Sequence, residues 1–285
     1  MSVAGVMPIA DGSNASGVNE CADLPPMGTA HLGRRWMEAA VLRRFGSRAR
    51  SWNTSPQGIR NMARLEAMRN RHWGKRCFIL GNGPSLLESD LGMLADEYVI
   101  GTNRIYLHPA CRQWRRWYYC AVNPNVMEQY ADEIRAIGAI RFLAWEHRAL
   151  VEDGGATLWL ESSNEPRFSF DLSRGLWQGA TVTYVAMQVA FHLGFTDVVL
   201  LGVDHHYERA GQPNKLVTAE GTDPDHFSQE YFGPGCRWQL PDLGRSEVAY
   251  RLALLAFEQE GRRIRDATVG GRLNVFPKVD YSELF

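Results

Sequence analysis

The sequence predicts an α/β fold of the Rossmann-like class, in which a mostly parallel sheet has helices on both faces and carries an irregular lid segment. Two observations predict it. Short apolar runs, such as CFILG at 77–81 and DVVLLGVD at 197–204, alternate with segments of helical periodicity. These runs are apolar at successive positions, which is typical of parallel strands buried on both faces of a sheet.

The predicted elements follow one another along the chain with no internal repeat. Two basic helices come first, at 34–45 and 57–72, and later helices are predicted at 85–96, 125–137, 181–195 and 245–261. Strands are predicted at 77–81, 97–103, 116–123, 140–145 and 197–204, and a further strand follows Gly261. Helices alternating with short strands predict crossover connections between parallel strands.

The domain organisation follows from changes in composition. Residues 1–33 are rich in Gly, Ala, Ser, Asn and Pro and predict a disordered tail, and residues 34–72 predict a basic helical extension. Residues 73–285 predict a Rossmann-like domain. Within it, residues 208–243, which we call the lid, are rich in Gly and Pro and lack periodicity. A segment of that length inside a compact domain is often functional.

Composition restricts the function and location. The 285 residues carry a formal net charge of -1, which argues against nucleic acid as a partner and favours a small-molecule or glycan substrate. No stretch has the roughly 18 apolar residues of a membrane span, and the N-terminus lacks a secretion signal, so we expect a cytoplasmic location. Five scattered cysteines without a Cys-x-x-Cys pair predict neither disulfides nor a zinc site.

An asparagine follows each of the first three predicted strands. Asn82, Asn103 and Asn123 therefore lie at the carboxyl edge of the sheet, where open parallel sheets bind ligands. An amide can donate to phosphate or ribose oxygens and accept from a base or a ribose hydroxyl. Asparagine also favours turns, which is the alternative explanation for any one of them.

The loop after the first strand reads GNGPS at 81–85. It lacks the third glycine of the dinucleotide fingerprint and the Gly-Lys-Ser/Thr ending of the P-loop. Gly81 and Gly83 nevertheless let the backbone approach a ligand closely. Ser85 is predicted to cap a helix whose N-terminal amides favour an anion.

Acidic and histidine residues follow the late strand and recur in the lid. Asp204 and His206 come directly after the strand, and Asp223, Asp225 and His226 lie in the lid. The three carboxylates predict a site for Mg²⁺, which prefers oxygen ligands, and either histidine could act as a general base. Turn formation is the alternative for the two lid carboxylates.

Three arginines are candidate anion contacts. Arg104 follows the second strand, and Arg263 and Arg272 lie in the segment after the last long helix. Exposed arginines without a ligand are the alternative.

Four stretches give the sequence a resemblance to the 6-hydroxymethylpterin diphosphokinase MptE-like family of bacteria and archaea. They are RCFILGNGPSL at 76–86, GTNRIYL at 101–107, GATVTYVAMQVAFHLGFTDVVLLGVDHHY at 179–207 and DATVGGRLNVFPKVDY at 266–281. The resemblance covers about 65–285. It implies a Rossmann-like transferase that moves a diphosphate from ATP, with Mg²⁺ on Asp204 and neighbouring carboxylates, to a hydroxyl of a small pterin-type acceptor.

The same core is similar to the small bacterial lipooligosaccharide sialyltransferases, which use a CMP-sugar. That resemblance implies that Asn82, Asn103 and Asn123 contact the nucleotide. Thr181 or Thr183 matches a family serine or threonine that opens the apolar helix.

Asp204 matches a family aspartate, but two positions depart from the sialyltransferase pattern. His206 stands where the family has a tyrosine. The stretch before the last long helix offers Asp242 where the family has its catalytic histidine.

Three functions follow from these resemblances. The first is transfer of diphosphate from ATP with Mg²⁺. The alternative is transfer of a sugar from a CMP-sugar in surface glycan assembly, without a metal and with His226 or Asp242 of the lid as the base. The third is a nucleotide-binding scaffold without catalysis.

Overall fold

The computed structural model describes residues 51–151, 155–209 and 211–285. The tail predicted at 1–33 and the helix predicted at 34–45 lie outside the described residues. The α-helices of the described part are α1 (Pro56–Met68), α2 (Pro124–Gln129), α3 (Ala131–Ala136), α4 (Val182–Leu193) and α5 (Leu243–Gln259). Short 3₁₀ helices span Pro84–Glu88, Leu91–Leu94, Ile105–Leu107, Pro109–Arg112, Trp145–His147, Leu172–Arg174 and Tyr281–Leu284.

Seven strands form one parallel sheet. They are β1 (Arg76–Leu80), β2 (Tyr98–Thr102), β3 (Arg116–Ala121), β4 (Ile140–Ala144), β5 (Thr157–Leu160), β8 (Asp197–Leu201) and β11 (Arg263–Asp266). Two small sheets pair β6 (Ser162–Ser163) with β7 (Leu176–Trp177) and β9 (Leu216–Thr218) with β10 (Arg237–Gln239). The seven-stranded sheet, ordered β11-β8-β1-β2-β3-β4-β5, confirms the predicted Rossmann-like fold class.

The central strands are buried on both faces of this sheet. Cys77, Phe78, Ile79 and Leu80 of β1 are all fully buried although successive side chains point to opposite faces. Helix α4 is buried along nearly its whole length and contacts β1, β2 and β3. The continuous apolar runs of the sequence therefore reflect a sheet covered on both sides.

The strand order changes direction at β1. The chain moves from β1 through β2, β3, β4 to β5 on one side, and β8 and β11 occupy the other side. Such a switch point opens a crevice at the carboxyl ends of the strands. The crevice here lies between the loops that follow β1 and β8.

Two predicted helices are shorter than the periodicity indicates. The segment 85–96 forms two 3₁₀ helices, Pro84–Glu88 and Leu91–Leu94, because Ser89 is extended and the Asp90 carboxylate accepts from the Gly92 amide at 2.9 Å. The segment 125–137 is divided into α2 and α3 at Tyr130, whose backbone angles are non-helical.

The lid contains the antiparallel strand pair β9–β10 and is hydrogen-bonded to residues that follow the sheet strands. The Phe227 amide donates to the Asn82 carbonyl at 2.9 Å. The Arg104 guanidinium donates to the Glu230 carbonyl at 2.8 Å and to the carbonyl of Tyr231. The lid is thereby held over the carboxyl edge of the strands. Within the described residues, no helix is long and apolar enough to cross a membrane.

Candidate functional site

A cavity of about 470 Å³ lies at the switch point, between the strand ends and the lid. Its wall is largely polar and uncharged. The uncharged polar side chains on the wall include those of Asn82, Asn103, Asn123, Ser162, Ser163, Asn164, Gln178, Thr181 and Thr183. Among the residues that line the cavity, Arg245 is the single Lys or Arg, and Asp204 and Asp225 are the carboxylates.

The glycines of the loop after β1 allow close approach of the loops after β1 and β8. A Cβ on Gly81 would lie 2.2 Å from the Gly202 carbonyl oxygen, and a Cβ on Gly83 would lie 1.8 Å from Asp204 Oδ2. The Gly81 and Gly83 amides donate to the Leu201 and Gly202 carbonyls at 2.8 and 2.9 Å. The two glycines are thus needed for loop packing, and both line the cavity.

Ser85 and Asp204 hold the two loops together. The Asp204 carboxylate accepts from the Ser85 hydroxyl at 2.7 Å and from the Ser85 amide at 3.2 Å. Ser85 was predicted to cap an anion-binding helix, but it lies inside the 3₁₀ helix Pro84–Glu88, which has no side-chain cap. Its hydroxyl fixes the orientation of Asp204 instead.

The orientation of the Asn82 amide follows from its hydrogen bonds. Asn82 Nδ2 donates to the Thr102 carbonyl at 3.1 Å and to Thr102 Oγ1 at 3.0 Å. The Thr102 hydroxyl donates its own hydrogen to the Leu80 carbonyl at 2.8 Å, so it can only accept from Asn82. Asn82 Oδ1 is therefore left as a buried acceptor without a partner.

The other two asparagines of the strand ends have different environments. Asn103 has a φ of 45°, and its Oδ1 is a second buried acceptor without a partner. Asn123 caps α2, where its Oδ1 accepts from the Asn125 and Val126 amides at 2.9 and 3.3 Å. The structure brings all three to one cavity, and two of them offer oxygens that lack donors.

The N-terminus of α4 also lines the cavity. Thr181 caps the helix by accepting from the Thr183 amide at 3.3 Å, and its hydroxyl lies 3.3 Å from that of Tyr250. The first amides of an α-helix have no intrahelical acceptor and favour a negative charge. Thr181 and Thr183 therefore combine hydroxyl groups with a helix end of positive potential.

His226 and Asp223 form a hydrogen-bonded pair in the lid. His226 Nδ1 lies 2.8 Å from Asp223 Oδ2, and the imidazole stacks on the Tyr231 ring at 3.9 Å between centroids. Burial raises the pKa of Asp223, but the bond to His226 and the amides of Asp225 and Phe232 outweigh it and hold the pKa below its ordinary value. When Asp223 accepts from Nδ1, Nε2 is the ring nitrogen of His226 that remains to take a proton. His226 lines the cavity.

The other predicted acidic and histidine residues differ from one another in whether they line the cavity. Asp225 lines the cavity, is 4% exposed, and accepts from the Glu208 amide at 2.6 Å through Oδ1. His206 lines the cavity with an exposed side chain. Asp242 caps α5 by accepting from the Arg245 amide at 3.0 Å and is absent from the cavity wall.

The predicted Mg²⁺ site is not assembled. Within the described part of the chain, no group of three His, Cys, Asp or Glu side chains could hold a metal ion. Asp223 has its carboxylate oxygens bonded to His226 and to backbone amides, and Asp204 has its oxygens bonded to Ser85. Asp225 has a free oxygen, but among the described residues it does not form a metal-binding group with Asp204 and Asp223.

The three candidate arginines do not line the cavity. Arg104 is buried, and its guanidinium donates to lid carbonyls and lies 3.8 Å from the Tyr130 ring centroid. The Arg263 side chain pairs with Asp197 at 2.9 Å. Arg272 uses its backbone amide, which donates to the Asp204 carbonyl at 2.9 Å.

Several cavity residues were missed by sequence reasoning. Trp177 and Gln178 precede the cap of α4, and Arg245 lies in the first turn of α5 with its guanidinium 5.4 Å from the Trp177 ring centroid. The WQGAT stretch at 177–181 was an available signal, since a glycine turn that leads into a buried helix often presents backbone amides to a ligand.

No protein-family model and no curated protein matches this chain, so membership of the MptE-like family stays a prediction. Among solved structures, the chain is similar to the sialyltransferase CstII from Campylobacter jejuni in complex with a substrate analogue, cytidine-5'-monophosphate. The two chains are 12% identical, with a TM-score of 0.38 over 73% of this chain and 85% of that chain. Values this low do not assign a shared function.

Proposed function

We propose that this protein is a glycosyltransferase that takes a sugar from a CMP-sugar and passes it to a hydroxyl of a small-molecule or glycan acceptor without a metal ion. The observation that carries the proposal is the polar, amide-lined cavity, two of whose lining residues, Asn82 and Asn103, have buried amide oxygens that lack partners. Each oxygen requires a donor, and the amino group of cytosine and the ribose hydroxyls are donors of this kind.

The charges of the cavity favour a nucleoside monophosphate over ATP. A triphosphate needs several cations or Mg²⁺ to balance its charge during phosphoryl transfer. The cavity wall carries one arginine and two carboxylates, Asp204 and Asp225. One phosphate at the N-terminus of α4 needs far less compensation, since the helix end itself supplies positive potential. The diphosphokinase reaction is therefore the weaker of the two chemistries.

His226 is the residue best placed to act as the general base. Asp223 accepts from Nδ1 and leaves Nε2 to take the proton of the acceptor hydroxyl. As that proton moves to Nε2, the acceptor oxygen forms a bond with the anomeric carbon of the donor. The bond from that carbon to the phosphate oxygen breaks, and its electron pair leaves with CMP. Asp223 stabilises the imidazolium that results.

Nucleotide choice can be tested by thermal shift with CMP and ATP, each with Mg²⁺ or with a chelator. We expect CMP to raise the melting temperature equally in both conditions. Stabilisation by ATP that requires Mg²⁺, with none by CMP, would refute the proposal and favour phosphoryl transfer.

Catalysis can be tested by CMP release from CMP-N-acetylneuraminate. We expect His226→Gln to lower the rate of transfer about 100-fold or more while CMP affinity is unchanged, because general-base catalysis contributes factors of this size. His147→Gln is the control, since it makes the same change at a histidine that does not line the cavity. CMP binding without any turnover would instead identify a nucleotide-binding scaffold.

A further inference from the structure

Asp225 is a buried carboxylate that lines the cavity and has one oxygen without a hydrogen-bond partner. Its side chain is fixed in place, because Oδ1 accepts from the Glu208 amide at 2.6 Å and its own amide donates to Asp223 Oδ1 at 2.9 Å. Oδ2 is buried and has no hydrogen-bond partner. The residue is 4% exposed and lines the cavity.

An unpaired oxygen on a buried carboxylate is destabilising, because the group loses water without gaining a donor. None of the ion pairs formed by the described residues involves Asp225. Asp223, two residues away, differs in this respect because both of its oxygens have donors. A ligand bound in the cavity that Asp225 lines would supply the missing donor.

The part of the ligand that meets Asp225 is not the phosphate, since like charges repel. Asp225 belongs to the lid, whereas the unsatisfied amide oxygens of Asn82 and Asn103 follow the strands. Its neighbour in the chain, His226, lines the same cavity. These positions associate Asp225 with the acceptor.

We propose that Asp225 determines acceptor specificity by accepting a hydrogen bond from a second hydroxyl or an ammonium group next to the attacking hydroxyl. This rests on the proposed glycosyltransferase function. His226 removes the proton of the attacking hydroxyl, and Asp225 Oδ2 holds the neighbouring donor group. An acceptor that lacks the second donor leaves Oδ2 unpaired and binds more weakly.

The test uses CMP-N-acetylneuraminate as donor with water, ethanol, ethylene glycol or ethanolamine as acceptor. Ethylene glycol and protonated ethanolamine each carry a second donor beside the hydroxyl, whereas ethanol has none. For the wild-type protein we expect the rate of transfer to ethylene glycol or to ethanolamine to exceed the rate of transfer to ethanol by about tenfold at equal concentration. A factor of this size corresponds to one hydrogen bond to a charged group. The stronger of the two identifies the donor as hydroxyl or ammonium.

Asp225→Asn is the decisive variant. The Glu208 amide requires an acceptor, so the side-chain oxygen of the asparagine takes the place of Oδ1 and its NH₂ group takes the place of Oδ2. The NH₂ group is a donor, so it cannot accept from the second donor group of the acceptor substrate. We expect this variant to lose the preference over ethanol, measured as the ratio of the two transfer rates within the same protein, so that a general change in rate does not affect the result. Glu208→Gln removes an exposed acid of the same lid and should keep the preference.

The results separate the two proposals. A preference that persists in Asp225→Asn, or a wild-type protein without a preference, would overturn the role of Asp225. No CMP release by the wild-type protein with any acceptor would refute the glycosyltransferase function and this inference with it.

Discussion

Gly83→Ala tests whether the approach of the loops after β1 and β8 is as tight as the structure indicates. The new Cβ would lie 1.8 Å from Oδ2 of Asp204, 2.4 Å from its Cγ and 3.0 Å from its Cβ. No rotation of an alanine side chain relieves these contacts, because the Cβ position is set by the backbone. The Asp204 side chain therefore has to move away.

The cost follows from what Asp204 loses. Its carboxylate accepts from the Ser85 hydroxyl at 2.7 Å and from the Ser85 amide at 3.2 Å. Hydrogen bonds to charged groups contribute about 1.5–3 kcal/mol each, and water replaces part of them because Asp204 is only half-buried. We expect Gly83→Ala to lower the free energy of unfolding by about 2–4 kcal/mol.

A double-mutant cycle measured by urea unfolding checks this reasoning. Asp204→Ala removes the atoms at 1.8 and 2.4 Å, so Gly83→Ala should cost less than about 1 kcal/mol in that background. Gly138→Ala is the control, since its Cβ would meet nothing within 4 Å. An equal cost of Gly83→Ala with and without Asp204 would refute the steric argument.

Three further predictions concern the cavity, the lid and the core. Asn103→Gly tolerates the φ of 45° but removes the unsatisfied oxygen, so CMP affinity measured by calorimetry should fall about tenfold without loss of stability. Arg104→Lys loses the guanidinium whose Nη1 donates to the Glu230 and Tyr231 carbonyls, so proteolysis within the lid should become faster while the seven-stranded sheet stays resistant. Burial, with a smaller effect of a neighbouring arginine, lowers the pKa of His72 to about 4, and its Nε2 bonds the Tyr118 hydroxyl at 2.6 Å. As the pH drops from 6.5 to 4, the His72 imidazole takes up a proton in the unfolded chain before it does so in the folded protein. The free energy of unfolding therefore falls by about 1–3 kcal/mol over this range. His72→Gln should make that fall smaller when unfolding is measured at each pH.

The sheet was predictable because its signals are local. Each central strand is an apolar run that ends at a Gly or Asn, and residues such as Cys77 and Leu80 are buried on opposite faces. Parallel strands bring their carboxyl ends to one edge, so the meeting of Asn82, Asn103 and Asn123 could be predicted without knowing the strand order. The short 3₁₀ helices were not predictable, because the spacing of apolar residues contains no information on the hydrogen bond from the Gly92 amide to the Asp90 carboxylate.

The function of individual polar residues depended on partners that are distant in the sequence. In the sequence, Arg104 is a candidate anion contact because it follows Asn103. In the structure its guanidinium donates to lid carbonyls more than 120 residues away. Ser85 resembles a helix cap, yet its hydroxyl donates to Asp204. Neither partner could be assigned before the crossover order and the lid position were known.

The structure divides the proposed chemistry between a rigid edge and a covering segment. The unsatisfied acceptors of Asn82 and Asn103 follow strands that are hydrogen-bonded on both sides, so they suit a fixed part of the ligand such as the nucleoside. The proton acceptor His226 and the unsatisfied carboxylate of Asp225 belong to the lid. Because the Phe227 amide donates to the Asn82 carbonyl, the segment that carries these two groups is tied to the loop at 81–85. Under the proposed function, the loop at 81–85 would have two roles: its Asn82 side chain would contact the donor substrate, and its backbone would position the lid residues that act on the acceptor.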